Sequence, residues 1–116
     1  MPTVDTGKLA EQAAAEFLTS SGCEILARNF RCTYGEIDII ARRESELHFI
    51  EVKNTKGAGK ESLSVTVNKK KQKRISESAQ YFLELHREYN NYHTQFDVVA
   101  VSETIEWIEQ AFLEYS

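Results

Sequence analysis

Two arms rich in Ile, Val and Phe occupy the centre of the chain: Gly-Glu-Ile-Asp-Ile-Ile-Ala at 35–41 and Leu-His-Phe-Ile-Glu-Val-Lys at 47–53. The polar link from Arg42 to Glu46 separates them. The pattern predicts two strands of a hairpin. Each arm carries charge inside an apolar run, and burying a charge costs several kcal/mol unless it is paired or bound to a metal. Asp38, Glu51 and Lys53 therefore need a chemical reason. The two-residue period puts Glu51 and Lys53 on one face, with Ile50 and Val52 on the other. A turn at Glu44-Ser45 sets Asp38 opposite Glu51 and Glu36 opposite Lys53, with Cβ atoms roughly 4.5–5.5 Å apart. Carboxylates so placed repel each other unless one holds a proton or a cation lies between them. The plainer alternative is a Glu36–Lys53 ion pair on a solvated face.

Upstream, Leu9, Ala10, Ala13, Ala14, Phe17 and Leu18 recur at helical spacing. They predict a first helix capped by Asp5 or Thr6 and ending near Gly22. Glu11 and Glu16 fall on opposite borders of this stripe, and geometry does not choose between them. A carboxylate near a helix start also has a structural use against the macrodipole. Ile25, Leu26 and Phe30 mark a strand over 23–31, and Tyr34-Gly35 turns it into the hairpin. A Gly- and Lys-rich loop follows Lys53, with a short extended piece at 64–67. Asn68 then caps a second helix to about Tyr89, with Lys71, Ile75, Ala79, Phe82, Leu83 and His86 on its inner face. His86 reads as a core-edge residue rather than a ligand. A further strand spans 95–101, with Phe96, Val98 and Ala100 on one face and Val99 and Val101 on the other. Asp97 is either a third buried carboxylate or, near a strand start, a local turn contact. Residues 104–112 fit strand or helix, and the Ile105–Trp107 alternation favours strand. The order α-β-β-β-α-β(-β) makes an α/β (α+β) domain over residues 1–116, a central mixed sheet flanked by helices.

At 116 residues, 41% hydrophobic and 28% charged, the composition is that of one ordinary soluble domain. No apolar run reaches membrane-spanning length, and no signal-peptide pattern opens the chain. Cys23 and Cys32 have neither disulfide-framework nor zinc spacing. A cytoplasmic protein with no membrane partner is expected. The net charge of −4 changes the picture only through its distribution: between Lys53 and Arg74 eight basic residues face Glu61 alone, a local +7 against −11 elsewhere. Charge so segregated lets one face of an acidic protein bind a polyanion. Lys69, Lys70, Lys71, Lys73 and Arg74 crowd the start of the second helix. Cations there oppose the macrodipole but suit phosphate, because free N–H groups converge with them.

Asp, then a hairpin, then Glu-x-Lys supplies the groups for metal-assisted phosphodiester hydrolysis. Mg²⁺ takes oxygen ligands and uses one or two carboxylates, leaving waters and substrate phosphate to complete its shell. Asp38 and Glu51 would be those carboxylates, with the Val52 carbonyl as a further oxygen. The metal, Mg²⁺ or Mn²⁺, would lower the pKa of a bound water. Lys53 would orient that water or stabilise the charge that builds on phosphorus. Lys71 and its neighbours would hold flanking phosphates.

Gly35-Glu36-Ile37-Asp38 followed by Phe49-Ile50-Glu51-Val52-Lys53 resembles the PD-(D/E)xK nuclease superfamily. More closely, the chain is similar to the small bacterial YraN-like family, related in fold to archaeal Holliday-junction resolvases. Gly7 to Leu18, Arg28-Asn29, Lys71-Gln72, Phe96-Asp97-Val98-Val99 and Ala111-Phe112 extend the likeness over nearly the whole chain. The resemblance implies a restriction-endonuclease-like core and an active-site set of Glu11, Asp38, Glu51 and Lys53, favouring Glu11 over Glu16. Ala10, Thr55 and Gln95 stand where the family commonly has glycine, arginine and arginine, which leaves Lys56 and Lys60 to take over phosphate contacts. The expectation is a metal-dependent endonuclease acting on DNA before RNA, branched DNA included, for which a two-fold homodimer would suit junction cutting. Two other readings stay open. One is a nucleic-acid-binding module with little catalysis. The other is a protein-interaction domain that uses Trp107 and Phe112 of the acidic tail.

Overall fold

The computed structural model describes residues 6–55 and 67–113. Helix α1 (Thr6–Ser20) leads into strands β1 (Glu24–Cys32), β2 (Gly35–Arg43) and β3 (Glu46–Asn54). Helix α2 (Lys69–Leu85), a 3₁₀ turn (Arg87–Tyr89), β4 (His93–Val101) and β5 (Ile105–Phe112) complete the order. The five strands form one sheet in sequence order, with β3 and β4 parallel and the other neighbours antiparallel. A parallel pair needs a crossover, and α2 supplies it. The fold is therefore α+β with a mixed sheet, in the order read from the sequence.

Each helix covers one face of the sheet. Ala10, Ala14 and Leu18 of α1 pack with Ile39, Ala41, Ile50, Val99 and Val101. Ile75, Ala79 and Phe82 of α2 pack with Ile37, Ile40, Phe49, Phe96 and Val98. Each large side chain so buried contributes about 1.5–3 kcal/mol. The expected stripe of α1 is rotated: Leu9 is exposed while Ala15 is buried, because small side chains let the helix lie close to the sheet. The helix ends in a Schellman arrangement, Cys23 N–H donating to the Leu18 carbonyl and Gly22 N–H to that of Thr19, with Gly22 at φ 93° where glycine is favoured. Asn68 caps α2 by accepting the Lys71 N–H at 2.9 Å. That helix stops at Leu85, short of Tyr89, because His86 leaves helical geometry (φ −127°). The His86 ring rests against Phe82, centroids 4.3 Å apart.

The β2–β3 hairpin has the register that a Glu44-Ser45 turn imposes, pairing Arg43 with Glu46, Ile40 with Phe49 and Ile39 with Ile50. There the ladder stops. Glu36 reaches Arg31 at 3.5 Å, so its partner lies on β1 and is not Lys53. Ile39 belongs to the α1-side core whereas Ile37 and Ile40 belong to the α2-side core. Strict alternation would have kept Ile37 with Ile39, so β2 turns its faces over at Asp38. Asn29, in the matching position of β1, has φ 53°, a left-handed conformation that Asn tolerates.

Asp97 makes no turn contact. It is fully buried and accepts four hydrogen bonds, from His48 Nδ1 at 2.6 Å, Gln95 Nε2 at 2.9 Å, Trp107 Nε1 at 2.9 Å and Gln110 N–H at 3.0 Å. Burial alone would raise its pKa; these donors, His48 first, hold it below the ordinary value. Burial pulls the His48 pKa down, but Asp97 and Glu46 outweigh it and leave the imidazole above its usual value. Trp107 also lies edge-on to Phe17 and under Arg43, while Phe112 stacks on Phe96. Both aromatics of the tail are thus engaged within the fold. Asp97→Leu should strand four donors and lower the unfolding free energy in urea melts by about 3–5 kcal/mol. The stability due to the raised His48 pKa is complete below the unfolded value of about 6.5 and fades as pH rises through the folded value. His48→Gln should therefore cost more stability at acidic than at alkaline pH.

Candidate active site

Three carboxylates from three elements, Glu11, Asp38 and Glu51, lie around the point where β2 and β3 part, more loosely than a trio with every ligand atom within 4.8 Å of the others. Asp38 is central: beyond the last ladder pair its Oδ2 accepts the Val52 N–H at 2.8 Å. In an extended strand a residue's N–H and C=O leave on the same edge, so the Val52 carbonyl faces the same gap. Glu51 comes from β3 on the face covered by α2 and is buried, at 7% exposure. Glu11 comes from α1 across the other face, held there because Ala10 and Ala14 on either side of it are buried. Glu16 is exposed and bonded to Gln12.

The electrostatics follow from crowding. Burial pushes the Glu51 pKa up, and its hydrogen bond to Asp38 and the Asp38 charge add to this, against the pull of Lys71; the carboxyl is raised to about 7. Crowding against Asp38 thus favours the protonated form of Glu51. Burial and the Asp38 charge also raise Glu11, while the Asn29 side chain and Arg28 pull it down. One oxygen of Glu11, Oε1, is buried with no hydrogen-bond partner among the described residues. A buried acceptor left unpaired costs about 1–3 kcal/mol, and a cation or a water held by one would satisfy it. The donor set is all oxygen, which suits Mg²⁺ or Mn²⁺. Asp38, Glu51 and the Val52 carbonyl would be the ligands of such an ion, with Glu11 at the margin.

Lysines take unequal places here. Lys71 Nζ lies 3.0 Å from Glu51 Oε1, so α2 delivers a cation straight to the carboxylates. Lys53 is half-buried on the same face of β3, opposite Ala100, and among the described residues makes no ion pair. Lys69, Lys70, Lys73 and Arg74 are exposed around the start of α2. Lys56 and Lys60 lie outside the described residues. The sequence reading had assigned Lys71 to phosphate and missed its contact with Glu51, although its place on the inner face of α2 was the available signal.

A second polar cluster occupies the other end of β3. Glu46, His48 and Glu109 are the only His, Cys, Asp or Glu trio among the described residues whose ligand atoms all lie within 4.8 Å of one another. Arg43 Nη2 lies 3.2 Å from both Glu46 Oε1 and Glu109 Oε1, and His48 Nε2 lies 3.1 Å from Glu46 Oε1. This cluster is neutralised by its own cations. His48 was missed because one histidine in an apolar run gives no pattern. Gln95 belongs to this cluster, bonded to Asp97 and Glu109, away from the gap at Asp38.

The fold and this site define a small α+β protein with a carboxylate centre at the split of a mixed sheet, flanked by a basic helix start. The model of UPF0102, described as an uncharacterised protein family, matches residues 10–101. The chain belongs to that family, the YraN-like one. It is 42% identical to a UPF0102 protein of Saccharophagus degradans over 109 residues, covering 93% of this chain and 92% of that one. A UPF0102 protein of Syntrophus aciditrophicus is 44% identical over 97 residues, covering 84% and 76% of the two chains. One from Francisella tularensis is 41% identical over 117 residues, covering 97% of each.

A carboxyl raised above its unfolded value stabilises the fold fully below about pH 4.5, and that contribution is lost as pH rises through about 7. Glu51→Gln should therefore raise the thermal midpoint at pH 8, with the gain shrinking as pH falls and vanishing below about pH 4.5. Scanning calorimetry across that range checks both the sign and the window.

Proposed function

We propose that this protein is a metal-dependent endonuclease of the PD-(D/E)xK kind, acting on phosphodiester bonds in DNA, with branched DNA among its substrates. The observation that carries the reading is the buried Glu51 next to Asp38 in the sheet gap, beside a Glu11 oxygen that has no partner among the described residues. Asp38, Glu51 and the Val52 carbonyl would hold Mg²⁺ or Mn²⁺. When bound, the ion supplies Lewis acidity toward the phosphate and a water of lowered pKa. Asp38 stays oriented through the Val52 N–H, so one ligand is fixed before any ion arrives. Glu51 must give up its proton to serve as a ligand, and Lys71 favours that ionised form. Lys53, on Glu51's face and without an ion pair among the described residues, is placed to meet developing negative charge. Glu11 is an acceptor for a water proton at the margin of the site.

The Lys71–Glu51 contact also supports a second reading, a nucleic-acid-binding module with little catalysis, because Lys71 already neutralises one of the two carboxylates. Cleavage assays separate the two. Labelled duplex, single-stranded and branched DNA, with RNA alongside, should be cut in Mg²⁺ or Mn²⁺, and Glu51→Gln should slow cutting by at least about a hundredfold, as expected when a group central to the reaction is lost. Cleavage that persists in Glu51→Gln belongs to a contaminant. Binding with no cleavage selects the second reading.

A further inference from the structure

A cleft of about 750 Å³ lies between the β1–β2 turn and the start of α2. Arg31, Lys70, Lys71 and Arg74 line it, with Glu36 as the acid. Glu36 is already matched to Arg31, so the cleft keeps a clear positive excess. Among the described residues neither Lys70 nor Arg74 makes an ion pair. Tyr34 stands in the same wall and is 48% exposed. Its ring is backed rather than loose: Tyr34 lies against Tyr81 at 6.2 Å, Tyr81 against Phe30 at 6.3 Å, and Phe30 edge-on to Phe82 at 5.4 Å. The turn is held close to α2 because position 35 is glycine; a Cβ there would come within 3.2 Å of the Arg74 Cβ.

An exposed aromatic ring set among unpaired cations is the arrangement that takes a base on its face and a backbone in its charges. Bases in a duplex are stacked on one another and offer no free face, so a stacking residue of this kind selects an unpaired nucleotide. The cleft also leads to the carboxylates, since Lys71 lines it and touches Glu51. We propose that this cleft binds an unpaired nucleotide, with its base on Tyr34 and its phosphates held by Lys70 and Arg74. The protein would then engage single-stranded or forked DNA ahead of blunt duplex. The proposal rests on the nucleic-acid part of the functional reading and needs no metal.

Fluorescence anisotropy of the full chain carrying Glu51→Gln, in EDTA, tests it without cleavage. The probes are a labelled single strand, a blunt duplex of the same sequence and a fork with unpaired arms. Single strand and fork should bind at least about tenfold more tightly than duplex. Tyr34→Ala should weaken single-strand binding by roughly 5- to 150-fold, the range for one stacked base, and leave duplex binding unchanged. Tyr34→Phe should retain single-strand affinity, which separates loss of stacking from loss of fold. Arg74→Ala should reduce the single-strand salt slope by about 0.7, one phosphate contact. Equal affinity for single strand and duplex, or a silent Tyr34→Ala, overturns the proposal. So does an absence of binding by every probe at low salt. Tyr34-dependent binding in a protein that cuts nothing in Mg²⁺ sustains the cleft and removes the nuclease reading, whereas cutting with Tyr34-independent binding does the reverse.

Discussion

Asp38 spends its carboxylate on the backbone of the neighbouring strand, accepting the Val52 N–H at 2.8 Å where the β2–β3 ladder ends. A side chain standing in for a ladder partner keeps the strands from closing beyond Ile39 and Ile50. The gap it maintains lies in the plane of the sheet, so groups from both faces reach it. Glu51 comes from the α2 side and Glu11 from α1. The face exchange between Ile37 and Ile39 and the left-handed Asn29 belong to the same event, because a β-strand cannot turn over without local backbone distortion.

The molecule carries two charged clusters at opposite ends of β3, and their electrostatics differ. Asp97, Glu46 and Glu109 are met by His48 and Arg43, and the Asp97 pKa falls as a result. Among the described residues Glu11, Asp38 and Glu51 are met at salt-bridge distance by Lys71 alone, and the pKa values of Glu11 and Glu51 rise. Buried charge with its own counter-ions is architecture. Crowded carboxyls with raised pKa values are of the perturbed kind that concentrates at functional sites.

Much of this was legible in the sequence because it rests on short-range periodicity. The hairpin register followed from one two-residue turn, the element order from apolar spacing, and the faces of β4 from alternation. Side chains whose roles depend on contacts far along the chain were not legible. Asp97 gathers partners from three strands, β3, β4 and β5, so a window around it shows only a lone acid near a strand start. Leu9 looked buried because a helical wheel cannot show how far the alanine face draws α1 toward the sheet. Lys71 was placed on the correct face of its helix, but its partner lies twenty residues earlier. From the sequence Tyr34 reads only as a turn residue and Arg31 only as a strand end, because the cleft they line exists only once α2 packs against the β1–β2 turn.

The central claim is that the gap at Asp38 is a cation site built from carboxylates that otherwise compete for protons. Isothermal calorimetry with Mn²⁺ at pH 8, where Glu51 is ionised, addresses it without a substrate. The wild-type chain should bind a metal ion in a manner that Asp38→Asn weakens at least about tenfold, as loss of a ligand does, while Glu109→Gln at the self-neutralised cluster leaves it unchanged. No heat of binding, or binding indifferent to Asp38→Asn, would contradict the account.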